Sequence, residues 1–177
     1  MIETDRLQLR PFAKEDVQQA HALFSDREAM RFVGMYPPFT RLEETAQRID
    51  RWTREAHRLA ITLKKTGALM GYIVINPDSE EGRADTRELG FALISEYRGH
   101  GYMKEAVAAI LEALAERSIL YVWACCIQEN AASERLIRSL GFELQQEGRF
   151  HAPNDREYPS FEFRITLQQK AEEIRQY

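Results

Sequence analysis

Cysteine is scarce in this 177-residue chain: only Cys125 and Cys126, side by side. In a strand, neighbours point to opposite faces, so these two neither bridge to each other nor share a metal ion. They read as small apolar strand residues, buried and without a paired base, which argues against a disulfide scaffold and against a thiol nucleophile. The four histidines, His21, His57, His100 and His151, show no ligand spacing, so no metal is predicted. No apolar run approaches the roughly 18 residues of a membrane span, and the start MIETDRLQLR is too polar for a signal peptide. These absences predict a cytoplasmic protein with no membrane partner. A surplus of one charge is missing too. A net charge of -4 lacks the basic excess of a nucleic-acid binder, and it is too small to argue for a cationic partner. Repeats, low-complexity tracts and linkers are absent, and the length suits one domain over residues 1–177.

What is present is an ordered series of patterned segments. DRLQLRPF alternates Leu7 and Leu9 against polar neighbours and predicts a strand ended by Pro11. Over residues 13–31, Val17, Ala20, Leu23 and Phe24 recur at helical spacing. Gly34, Pro37 and Pro38 end that pattern. A second helix is predicted from an N-cap at Thr40, with Glu43 completing a capping box, to about His57. RLAITLKK and ALMGYIVINP flank the turn signal Thr66-Gly67 and predict a hairpin. TRELGFALI follows as a third strand, in which Gly90 marks a bulge or a close backbone approach. ILYVWACCI is apolar throughout, as in a strand covered on both faces. A helix over residues 130–140 then stops at Gly141, and GFELQQEGRF and SFEFRITL form a closing pair of strands. The fold class is α+β, a mixed sheet flanked by helices.

The chemistry concentrates at LGFALISEYRGHGYMKEA, where a strand passes Gly99 and Gly101 and becomes a helix. The first turn of a helix leaves N–H groups without internal partners, and the helix dipole adds partial positive charge there. Glycines let a phosphate approach those amides, and Arg98 adds a cation. A nucleotide-hydrolysing P-loop would need Lys and then Ser or Thr after its second glycine, where Tyr102 and Met103 stand. A dinucleotide fold would need a third glycine at Lys104. On these residues alone, a pyrophosphate cradle and a plain tight turn stay open.

YRGHGYMKEA resembles the coenzyme A signature of the GCN5-related N-acetyltransferases: Arg or Gln, two residues, Gly, one residue, then Gly or Ala. Arg98 and Gly101 match it, and Met103 departs at the last position. NAASERLIRSLGF, residues 130–142, resembles the N-x-x-S…LGF segment of the branch that acetylates ribosomal-protein N-termini. The opening ETDRLQLRPF is similar to that branch as well. The resemblance implies a single-domain, mostly antiparallel sheet with two splayed central parallel strands, TRELGFALI and ILYVWACCI. Acetyl-CoA would be the acetyl donor, its pantetheine arm between those strands on the backbone of Leu93 and Ile94. Its pyrophosphate would lie on amides from Arg98, Gly99, His100, Gly101, Tyr102 and Met103. Asn130 would bond the arm or cap the helix, or do both.

Acetyl transfer to an amine requires removal of the ammonium proton and stabilisation of the departing thiolate. By resemblance Glu88 is the candidate base, the alternative being a solvated strand glutamate. Many relatives carry a tyrosine acid where this chain has Ile137. Ser133 matches the serine proposed in the ribosomal branch, the alternative being a small residue packed on the cofactor. The loops VGMYPPF and RFHAPNDREYPSF are the candidate acceptor walls, with Met35, Tyr36, Phe39 and Tyr158 either lining the pocket or joining the core. The implied acceptor is a peptide N-terminus or a small-molecule amine (a polyamine, an amino sugar or an antibiotic). A CoA-binding sensor without turnover is the non-enzymatic alternative. Exposed strand edges and family habit are compatible with a homodimer.

Overall fold

Leu7 and Leu9 are fully buried while Gln8 and Arg10 are not, the alternation expected of a strand with one face on the core. In the computed structural model, which describes residues 1–33, 37–79, 82–152 and 156–167, this strand is β2 (Leu7–Pro11) of one eight-stranded sheet. The others are β1 (Ile2–Glu3), β3 (Arg58–Leu63), β4 (Leu69–Pro77), β5 (Thr86–Leu93), β6 (Tyr121–Ile127), β7 (Glu143–His151) and β8 (Glu157–Thr166). Their order is β1-β2-β3-β4-β5-β6-β8-β7. All neighbours are antiparallel except β5 and β6.

The helices are α1 (Val17–Ser25), α2 (Arg27–Met30), α3 (Leu42–Trp52), α4 (Tyr102–Ala115) and α5 (Ala131–Ser139). They divide between the two faces of the sheet. On one face Met103, Ala106, Val107 and Ile110 of α4, with Ile137 of α5, pack against Leu7, Ile73, Leu89, Val122 and Phe163. On the other, Leu23 and Phe24 of α1, Met30 of α2 and Ile49 and Trp52 of α3 cover Ala60, Tyr72, Val74 and Ala92. Each helix therefore buries one stripe, the condition for a helix lying on a sheet.

Several local expectations need correction. The helix predicted over residues 13–31 is broken at Asp26, whose Oδ1 accepts from the amides of Glu28 and Ala29 and starts α2 afresh. The second helix begins one residue late: Glu44, not Glu43, accepts from the amides of Thr40 and Arg41, and Arg41 is the N-cap residue. It ends at Trp52 rather than His57, because turns close back on Ile49, Arg51 and Trp52. Gly90 carries no bulge; it stands in register with Val74, and the register shifts lie between Ile61 and Thr62 in β3 and between Leu144 and Gln146 in β7. The close backbone approach is at Gly71, where a Cβ would fall 2.1 Å from the Ala92 carbonyl oxygen.

Candidate active site

Two strands that part company make the site. β5 and β6 pair only from Thr86 with Tyr121 to Leu89 with Ala124, yet β5 runs on to Leu93 and β6 to Ile127. Beyond Leu89 the sheet is open. The Ile94 amide donates to Met70 O, and Gly71 stands opposite Leu93. In an antiparallel ladder this arrangement turns the N–H and C=O of Ala92 toward β4 and those of Leu93 and Phe91 toward the gap. Ile94 is corrected accordingly: Met70 takes its N–H, and its carbonyl accepts from Tyr97. Phe91 and Leu93 are the residues whose backbone could receive an extended ligand as an added strand.

The entrance to α4 lies where β5 ends. Gly99 and Gly101 both sit at φ 79, a left-handed conformation that other residues reach only at a cost. A Cβ on Gly99 would meet nothing within 4 Å, so the backbone there is open to a ligand. The first helical bond of α4 runs from the Glu105 amide to Gly101 O, which leaves Tyr102, Met103 and Lys104 without helical acceptors. The amides of Gly99, His100 and Gly101 also make no protein hydrogen bond among the described residues. Arg98 differs. Its amide is spent on Ser95 O, and its guanidinium donates to Glu28 O of α2 at 3.2 Å. The remaining set fits a diphosphate: consecutive N–H donors at a helix entrance, with no side chain in front of Gly99.

Arg6, which the sequence pattern did not single out, braces this entrance. It donates to His100 O, pairs with Glu105 at 2.6 Å and lies 4.5 Å over the Tyr102 ring. A carboxylate in the first turn of α4 would repel an anion. Arg6 neutralises it. Burial tends to raise the Glu105 pKa, but hydrogen bonds from Thr4 and from the Arg6 amide and side chain bring it below its ordinary value.

A cavity of about 560 Å³ lies at the gap, lined by Leu89, Gly90 and Phe91 of β5 and by Cys125, Cys126 and Ile127 of β6. Asn130 and Ser133 line it from the α5 side, while Glu88, Tyr72, Trp52 and Arg58 line it from the α3 side. Glu88 and Ser133, distant in sequence, thus border one cavity. Asn130 Oδ1 caps α5 by accepting from the Ser133 amide at 3.2 Å. Among the described residues its carboxamide nitrogen has no protein acceptor, so capping and ligand binding are compatible. Ile137 is buried and packs in the core. Ser79 Oγ donates to Glu88 Oε2 at 3.4 Å.

Cys125 is exposed on the cavity wall, contrary to the burial expected for both cysteines, because the strands diverge around it. Desolvation by the walls raises its thiol pKa, with Glu162 and Glu88 adding to the rise. Burial pushes Cys126 up to about 11. Neither is poised as a thiolate at neutral pH.

The acceptor side was the least legible. Met35 and Tyr36 lie outside the described residues. Phe39 does not line the cavity; its ring packs on Phe24 at 5.5 Å, underneath Arg48. Tyr158 stands across the β7–β8 ladder from Phe150, and Phe150 is the one that lines the wall. Val33 and Phe150 do come from the two loops expected to form it. The arginines Arg48, Arg51 and Arg58 carried no sequence signal, since they are spread over α3 and β3 and only the fold gathers them.

Comparison with known proteins agrees with this geometry. The family model described as the acetyltransferase (GNAT) domain matches residues 6–143. The uncharacterized N-acetyltransferase YnaD of Bacillus subtilis (strain 168) is 30% identical over 152 residues, 84% of this chain and 85% of that protein. Two solved structures share the fold. The ribosomal-protein-alanine N-acetyltransferase from Brucella melitensis has a TM-score of 0.69 at 22% identity, covering 90% of this chain and 99% of its own. The spermidine N-acetyltransferase from Vibrio cholerae, in complex with CoA and spermine, has a TM-score of 0.75 at 16% identity, covering 94% and 98%. With its splayed parallel strands and bare-amide helix entrance, the chain belongs to the GNAT family of acetyltransferases.

Proposed function

We propose that this acyltransferase moves an acetyl group from acetyl-CoA directly to the α-amine of a peptide N-terminus, both substrates being bound at once. The observation that carries the reading is the gap between β5 and β6 beyond Leu89, whose cavity is bordered by Glu88 together with Phe91, Asn130 and Ser133. Acetyl-CoA supplies the activated acetyl group. The amides of residues 99–104 hold its diphosphate, and Phe91 and Leu93 pair with its pantetheine arm, with Asn130 bonding alongside. Glu88 takes the proton of the incoming ammonium, directly or through a water. Ser133 donates a hydrogen bond to the sulfur as it leaves, a modest role suited to a hydroxyl. The raised thiol pKa values of Cys125 and Cys126 favour direct transfer over an acetyl-enzyme.

The peptide acceptor rests on residues 130–142, the segment resembling the ribosomal branch, and on the fold shared with an enzyme of that name. A small amine is the second reading, favoured by the fold shared with the spermidine enzyme. Thiol release from acetyl-CoA, followed with N-terminal peptides and small amines, tests both. Glu88→Gln is expected to lower kcat by about 10²-fold, most strongly below about pH 8 where free amine is scarce, and to leave CoA affinity unchanged. A pH–rate profile identical to that of the parent removes Glu88 from the role of base.

A further inference from the structure

The acceptor face of the cavity is basic and aromatic. Arg48, Arg51, Trp52 and Glu55 recur at i, i+3, i+4 and i+7 along α3 and the turn beyond it, so they form one stripe over the cavity. Arg58 joins them from β3. The guanidinium of Arg48 lies 5.2 Å from the Phe39 ring and 5.6 Å from Trp52, and that of Arg58 lies 5.0 Å from Trp52. These rings fix the cations in place. Glu55 offsets part of the charge through its bond from Arg58 Nε. Even so, three guanidiniums face two carboxylates, Glu55 and Glu88. Tyr72, buried among them, registers the field: burial drives its pKa up to about 12, while Arg48 and Arg58 both pull against that rise.

The sheet register sets the spacing. Arg58 stands opposite Val74, and Val74 opposite Gly90, two residues along β5 from Glu88. Strands about 4.8 Å apart and a rise of about 3.4 Å per residue place the Cα atoms of Arg58 and Glu88 roughly 12 Å apart. A chain extended from an amine at Glu88 reaches that distance with its second or third residue. A free α-amino acid, with its carboxylate one carbon from the amine, does not. A polycation would set its far ammonium groups against the arginines.

Resting on the amine-acetylation reading above, we infer that the acceptor is an anionic amine: a peptide N-terminus with a carboxylate on its second or third residue, read by Arg48, Arg51 and Arg58. The test uses three hexapeptides alike except at those two positions, which hold glutamate, glutamine or lysine, together with spermidine and free aspartate. The glutamate peptide is expected to exceed the glutamine peptide in kcat/KM by about tenfold and the lysine peptide by about a hundredfold, almost entirely through KM. The advantage shrinks as salt is raised. Arg51→Glu, at an exposed position where folding is spared, abolishes that preference and favours the lysine peptide. Equal KM values, an Arg51→Glu variant with unchanged ratios, or better turnover of spermidine or free aspartate would overturn the inference. Should no amine release thiol, the transfer reading itself fails, and calorimetry of the three N-acetylated peptides on the CoA complex decides the present one. The same order of affinity upholds it, and equal or absent binding overturns it.

Discussion

Gly101→Asp tests the α4 entrance with a magnitude that can be worked out. The left-handed φ of 79 at Gly101 costs a residue with a side chain about 1–2 kcal/mol. That is felt as stability, a fall in Tm of about 2–8 °C for a domain of this length. Packing adds little, since a Cβ would meet only the Arg6 guanidinium, at 3.6 Å. The electrostatic part falls on the ligand. At an effective dielectric of about 20, two unit charges about 5 Å apart repel by about 3 kcal/mol. The site is exposed, so half that figure for each of two phosphate charges, about 3 kcal/mol in all, is the working value. The dissociation constant for CoA should rise by roughly 10²-fold. Gly67→Asp is the control: Gly67 has φ 73, a Cβ there meets nothing within 4 Å, and it sits in the β3–β4 turn. It should lose similar stability and keep full affinity. Calorimetric titration of CoA into both folded variants separates strain from charge. Parental affinity in Gly101→Asp refutes the placement of the diphosphate.

Two further outcomes concern stability. Gly71→Ala would drive a methyl to 2.1 Å from a backbone oxygen, which only strand displacement can relieve. A loss of about 3 kcal/mol or more is expected, read as a Tm lower by about 6–12 °C; a loss below about 1 kcal/mol would show that β4 and β5 are not so closely opposed. Asp26 and Glu105 both have lowered folded pKa values, burial being outweighed by hydrogen bonds from Ser95, Ala29 and Glu28 in one case and from Thr4 and Arg6 in the other. Their contribution is therefore present above their ordinary values of 3.8 and 4.5 and is lost as pH falls through the lowered ones. Thermal unfolding from pH 6 to pH 3 should show Tm dropping below about pH 4.5, with a shallower drop in Asp26→Asn; equal slopes would contradict the sign.

How far the sequence could be read depended on whether the signal was local. The stripe of Met103, Ala106, Val107, Ile110, Leu111 and Leu114 identified α4 and its buried face, because helical periodicity needs no partner to be seen. Gly99 and Gly101 identified the helix entrance for the same reason. Ends were less legible. Asp26 interrupts an unbroken apolar period by capping α2 through Oδ1 while Oδ2 accepts from the Ser95 amide, and Glu44 serves the amides of both Thr40 and Arg41. That Phe91, and not Ile94, shares the gap-facing parity of Leu93 is fixed by pairing with β4, which a single strand does not reveal. The arginine wall was hidden by distance along the chain. Arg58 approaches Glu88 only through the register of β3 on β4 and β4 on β5, and Arg48 only through the packing of α3 on that face of the sheet.

The placement of the acetyl donor is open to direct observation in a crystal of the CoA complex. The expected density sets the diphosphate within about 3 Å of the amides of residues 99–104 and runs the pantetheine arm between Phe91 and Ile127, its sulfur pointing toward Glu88. A gap closed by β5–β6 hydrogen bonds, or CoA bound on another surface, contradicts it.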